Sequence, residues 1–133
     1  MSTATPKSEF LLLFRGNDWD RGLSPEELQQ AMNAFMGWFE RLKQEGRVKA
    51  GQPLEPEGKV VSAKKGVSDG PFAESKEAVG GYFLLHVADM DEAVAIAQAC
   101  PALKYGMQVE VRPVADQCAM QRRMDEQLAS ATP

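Results

Sequence analysis

The chain holds one histidine, His86, inside the apolar run Gly81 to Ala88. An imidazole exchanges its proton near neutral pH, so His86 is the natural general base if its strand face lines a cavity. If that face lies under helices, His86 is a hydrogen-bonded core residue instead. Strand alternation puts it on one face with Tyr82 and Leu84. Glu110 and Arg112 are two apart on another strand-like run and therefore share a face. With Arg15 or Asp69 they could form a charged pocket floor that holds a carboxylate ligand. The competing reading is a structural ion pair. Asp69-Gly70-Pro71-Phe72 reads as a pocket loop presenting a carboxylate or as a tight turn. In the turn, Asp69 bonds its own backbone, Gly70 and Pro71 set the dihedrals, and Phe72 plugs the core. The candidate catalytic residues are thus His86 and Asp69, and the candidate ligand-binding residues are Tyr82, Glu110, Arg112 and Arg15.

Other chemistries lack their residues. Cys100 and Cys118 stand outside any CxxC or Cys/His spacing, which argues against zinc and a disulfide and for two buried or half-buried thiols. Cys100 falls at the C-terminal end of a helix-like stretch, where the dipole disfavours a thiolate; it reads as a small core residue. Gly80-Gly81 precedes a strand, so it is not a phosphate loop of the strand-to-helix type. No metal or cofactor is expected. The net charge is -4, and Lys64-Lys65 and Arg122-Arg123 are only pairs, which argues against direct nucleic-acid binding. No apolar run approaches the ~20 residues of a membrane span. Met1 to Ser8 lacks the apolar centre of a signal peptide, so a cytoplasmic location is expected.

The elements that must position these residues follow from periodicity. With 133 residues, the chain suits one domain. We place it at residues 9–128, with tails at 1–8 and 129–133. Glu9 to Arg15 is apolar on both faces, as befits a central strand covered on both sides. Ser24, Pro25 and Glu27 form a helix start with a capping box, and Gly46 is a stop. Between them Leu28, Ala31, Met32, Phe35, Phe39 and Leu42 make one broad stripe, widened by Met36 and Trp38. It reads as core rather than a cofactor box. Lys59 to Lys65 reads as an edge or half-exposed strand, and Gly81 to Ala88 as a second strong strand. Asp89 and Glu92 open a second helix, with Met90, Ala93, Val94, Ala97 and Cys100 as its stripe and Pro101 as its end. Met107 to Val114 is a final strand, and Asp116 to Leu128 an amphipathic stretch with Met120, Met124 and Leu128 four apart.

The order is β-α-β-β-α-β plus a C-terminal helix: α+β, ferredoxin-like, with two helices on one face of an antiparallel sheet. The other sheet face needs apolar cover. Either Phe10 and Phe14 or Leu11 and Leu13 line it, with Tyr82 and Leu84 or Phe83 and Leu85. An uncovered apolar face calls for a partner, and two such sheets packed together would make a homodimer with a cavity between them.

The run Asp69-Gly70-Pro71-Phe72-Ala73-Glu74-Ser75-Lys76-Glu77, followed by Gly80-Gly81-Tyr82, resembles the signature of the DGPF branch of the YCII-related family. Asp89-Met90-Asp91-Glu92-Ala93, Cys100-Pro101 and Val109 to Val114 continue the likeness. The resemblance implies a dimeric α+β barrel. Some members of the wider family carry a His on the first helix and an Asp-Pro pair after the second, the basis of a suspected enzymatic activity. Here the helix from Ser24 to Glu45 has no His, and Cys100 precedes Pro101, so that dyad does not carry over. Relatives in this branch are also linked to sigma factors of the extracytoplasmic-function type. Two expectations result. One is a small-molecule site in the cavity between the two sheets of a homodimer, working without cofactor as a proton-transfer lyase or isomerase. The other is a regulatory module acting with a sigma factor in transcription.

Overall fold

A computed structural model describes residues 8–16, 18–71 and 78–131. Of the expected tails at 1–8 and 129–133, residues 1–7 and 132–133 lie outside the described residues, whereas Ser8 opens the first strand and 129–131 belong to the last helix. The signature residues 72–77, including the expected Phe72 plug, also lie outside the described residues.

Ser8–Arg15 forms β1, with Phe10, Leu12 and Phe14 buried on one side and Leu11 and Leu13 half-buried on the other. Pro25–Gln44 forms α1. Its start is the expected capping box: the Ser24 hydroxyl accepts from the Glu27 N–H at 3.1 Å, and the Glu27 carboxylate accepts from the Ser24 N–H at 3.0 Å. These bonds with the Ser24 backbone and side chain hold the Glu27 carboxyl below the usual carboxylate range. Gly46, with φ of 72°, follows the helix in the left-handed region open to glycine.

Val48–Pro53 is β2. Lys59–Ser62 and Gly66–Asp69 are β3 and β4, a two-stranded hairpin of its own. Val79–Val87 is β5, Met90–Gln98 is α2, Gln108–Pro113 is β6 and Ala119–Ala131 is α3. The four-stranded sheet has the order β2-β5-β1-β6 with antiparallel pairing throughout. This is the ferredoxin-like α+β plan with a hairpin added between its second and third sheet strands.

Two element readings change. The strand expected over Lys59 to Lys65 is cut after Ser62 by a turn through Gly66, whose φ is 70°. Its alternating Val61 remains 74% exposed, so that alternation marks a solvated hairpin and not a sheet edge. The sheet's outer strand is β2, where Gly51 and Pro53 hid the strand pattern. On α2, the buried residues are Ala93, Ile96 and Ala97, while Met90 and Val94 stay exposed.

The core lies between the sheet and the two helices. Leu12, Leu85 and Val87 are fully enclosed. Trp38 and Leu42 of α1 meet them from above, with Ala93 and Ile96 of α2 beside. Phe14, Phe35, Trp38 and Phe83 pack edge-on or tilted, with ring centres 4.8 to 6.1 Å apart. Arg47, at the start of β2, bonds Glu45 and Glu92 and ties α1's exit to α2.

Candidate functional site

The alternation of β1 and β5 settles which residues go where. Phe10, Leu12 and Phe14 pair across strands with Leu85, Phe83 and Gly81, all on the helix side. Leu11, Leu13, Tyr82, Leu84 and His86 therefore share the opposite, helix-free face, each half-buried.

On the helix side, the sheet thins to glycine at one end. Gly51 and Gly81 face α1 there, and each backbone is too close to its neighbours for a side chain. A Cβ on Gly51 would stand 2.7 Å from the Phe83 ring, and one on Gly81 would stand 3.0 Å from the Gln52 carbonyl. With no side chains rising from this end, α1 spans a cleft of about 420 Å³. Phe14, Phe35, Phe39 and Phe83 supply aromatic wall, with Met32 and Met36 of α1 and Met107 beside them. The stripe on α1 is thus divided: Ala31, Trp38 and Leu42 are core, whereas Met32 and Met36, each 51% exposed, stand at the mouth of the cleft.

A turn between β1 and α1 closes the same cleft. Arg21 N–H donates to the Asp18 carbonyl at 3.1 Å, and Leu23 N–H to the Asp20 carbonyl at 3.3 Å. That turn delivers Trp19 and Asp20 to the cleft lining. Trp19 stacks on Tyr105 at 5.9 Å and packs on the core. Asp20 is the one ionisable side chain in the lining among the described residues. Neither was a sequence candidate. The available signal was a Trp next to an acid in a loop bounded by Gly16 and Gly22, because a large aromatic in a short polar loop is there to cover something.

The residues singled out from sequence are arranged differently. On the helix-free face, Arg15 reaches Glu110, with Nη2 2.6 Å and Nε 2.8 Å from Oε1. Arg112 Nε stands 3.5 Å from the other carboxylate oxygen of Glu110. Tyr82 lies opposite Leu13, and Leu13 opposite Glu110, so Tyr82, Glu110, Arg112 and Arg15 do share one face. His86 sits at that face's other end, opposite Glu9. Its backbone N–H donates to the Arg47 carbonyl at 2.8 Å, and its buried Nδ1 has no hydrogen-bond partner among the described residues. None of these five lines the cleft. Asp69 joins neither group: it belongs to the β3–β4 hairpin, is 73% exposed and pairs with Lys59.

The thiols differ from each other. Cys100 is buried beside Met107, with its thiol pushed up by burial. Cys118 is exposed, contrary to the expected partial burial, and Met120 and Gln121 N–H groups at the start of α3 pull its thiol below the usual range. Its segment, between β6 and α3, meets no core residue that would cover it. Among the described residues, no group of three or more His, Cys, Asp or Glu side chains is placed to hold a metal ion, and no helix is long and apolar enough to cross a membrane.

The family profile of the YCII-related domain matches residues 3–116, from before β1 to beyond β6. The chain belongs to the YCII-related domain family. The match takes in both faces of the sheet, the cleft and the hairpin, and ends before α3. No curated protein matches this YCII-related chain significantly.

Proposed function

We propose that this YCII-related protein, of the DGPF branch, is a homodimer that binds a small apolar molecule in the cleft beneath α1. The cleft carries the reading. Its volume of about 420 Å³ falls in the range of small-molecule sites, and its lining is an aromatic and methionine wall with a single carboxylate among the described residues. Proton exchange within it would fall to Asp20. A role for His86 as general base would instead require a second cavity, closed over the helix-free face by a second copy.

Dimerisation is supported by that face. Leu11, Leu13, Tyr82 and Leu84 form a contiguous apolar patch with no helix of the ferredoxin-like core over it, and a buried ring nitrogen of His86 is left without a partner among the described residues.

Methionine methyl resonances test the cleft. Met32, Met36 and Met107 line it, whereas Met120 and Met124 lie on α3. Titration with naphthylmethanol is expected to shift the first three and leave the α3 pair still, and Ala31→Phe is expected to abolish the shifts by filling the cleft. Shifts confined to α3, or none at all, overturn the reading.

A second reading, an interaction module beside a sigma factor, is favoured by α3. Met120, Met124 and Leu128 are 65%, 50% and 66% exposed along one helical stripe. Binding of a purified sigma factor of the extracytoplasmic-function type from the same organism, lost in Met124→Glu, would support it; no binding by the unaltered chain to any of that organism's sigma factors of this type would end it.

A further inference from the structure

The charge pattern of the cleft narrows what it takes. Resting on the cleft as the ligand site, we propose that the ligand is a protonated amine carried on a flat apolar body, with Asp20 receiving the ammonium group. Three observations meet here. First, the walls are rings: Phe14, Phe35, Phe39 and Phe83 line the interior, and a flat aromatic or alicyclic body offers them the most contact area. Second, the polar chemistry is of one sign. Among the described residues Asp20 is the only ionisable one in the lining, and no Lys, Arg or His among them lines the cleft to receive an anion.

Third, the Asp20 carboxylate is unspent. Among the described residues it makes neither an ion pair nor a side-chain hydrogen bond; only its backbone carbonyl is engaged, by Leu23. Other charged groups nearby are committed or face elsewhere. Lys104 lies 5.2 Å over the Tyr105 ring, on the partner of the Trp19 stack, and Arg21 is not part of the lining. A cation placed at Asp20 also meets the Trp19 ring delivered by the same turn, and an indole face attracts a cation through its quadrupole. A carboxylate ligand would meet like charge at Asp20 and lose its hydration without compensation. A neutral alcohol would gain the rings and one weaker hydrogen bond.

The test uses three probes of one shape on the full chain: naphthylmethylamine, naphthylmethanol and naphthylacetate. Affinity is read from the Met32, Met36 and Met107 methyl shifts. The amine is expected to bind about tenfold tighter than the alcohol, the order for a hydrogen bond to a charged group, and the acetate weakest. Asp20→Asn is expected to bring amine and alcohol to parity. Asp20 is exposed and its side chain unpaired, so its urea midpoint should match the parent's. Met32→Lys, at the exposed mouth, is expected to reverse the order and favour the acetate. Equal binding of the amine and alcohol to the unaltered chain overturns the charge inference and leaves the cleft standing. An amine preference that survives Asp20→Asn overturns the role of Asp20. Failure of all three probes to shift the cleft methionines overturns the cleft itself.

Discussion

The two faces of the four-stranded sheet are built from the same strands, residue by residue in alternation, yet they do different work. Phe10, Leu12, Phe14, Phe83, Leu85 and Val87 are buried at 5% exposure or less beneath α1 and α2. Leu11, Leu13, Tyr82, Leu84 and His86, the residues between them, are only half-buried. The covered face supplies the fold's cohesion and, where glycine replaces side chains, a cleft. The helix-free face supplies an apolar patch that one chain leaves half-buried and that the proposed second copy would cover. Adjacent leucines in β1 should therefore answer to different variables, one to intrinsic stability and the other to protein concentration.

Leu12→Ala and Leu13→Ala break the comparison most sharply. Leu12 is fully enclosed, and its truncation is expected to cost about 3 kcal/mol by urea unfolding at every protein concentration. Leu13→Ala is expected to cost well under half as much at high dilution, with the loss growing as concentration rises. Equal, concentration-independent losses would mean that both faces are already closed within one chain.

Gly51→Ala comes next, because it presses a methyl group onto the covered face where a Cβ meets Phe83 at 2.7 Å and Phe39 at 3.2 Å. Overpacking of this kind costs about 1–3 kcal/mol. The displaced rings border the cleft, so naphthylmethanol affinity should fall along with the urea midpoint. Unchanged affinity would show that the glycine pair does not set the cleft's shape. Leu84→Lys acts on the other face. It is expected to convert a dimer to a monomer by light scattering at micromolar concentration, while the dilute chain loses less than about 1 kcal/mol. A parent chain that is already monomeric would remove the dimer from the reading.

Much of this division was open to sequence reasoning, and the part that was not has physical causes. The α1 boundaries were legible because Ser24, Pro25 and Glu27 each satisfy a local requirement of a helix start, independent of the rest of the chain. The β5 and β6 faces were legible because period-two alternation is unmistakable once a strand is placed. Which face of β1 lay under the helices was not legible, since Phe10, Leu12 and Phe14 on one face and Leu11 and Leu13 on the other are all apolar. By sequence, residues 47–68 read only as a weak β region broken by Gly51, Pro53, Pro56 and Gly58, so β2 did not stand out within it, although Gly51 is there to let Phe83 and Phe39 approach. The cleft was invisible for a related reason. It arises from side chains that are absent, at Gly51 and Gly81, and from a loop acid that only folding brings beneath α1. The grouping of Arg15, Glu110 and Arg112 followed from strand spacing, whereas Asp69 could be excluded from it only by seeing the hairpin leave the sheet.

The smallest effect concerns the edge of the helix-free face, where Lys49 Nζ lies 2.7 Å from Glu9 Oε2 and His86 stands opposite Glu9. The hydrogen bond and charge of Lys49 lower the Glu9 carboxyl from its ordinary 4.5. A carboxyl with a depressed folded-state value binds its proton more weakly folded than unfolded. The pair's contribution is therefore present above about pH 4.5 and fades as pH falls through the folded value. Lys49→Met is expected to lower the urea midpoint slightly at about pH 7, with the gap to the parent closing as pH falls through the folded-state value. Because the pair is exposed, about 0.5 M salt should shrink the gap at neutral pH as well. If a second copy covers this edge, the gap should instead resist salt and increase with protein concentration, as expected for Leu13→Ala. A gap that salt does not touch and concentration does not change would mean that Lys49 acts through local packing of its stem and not through the Glu9 charge.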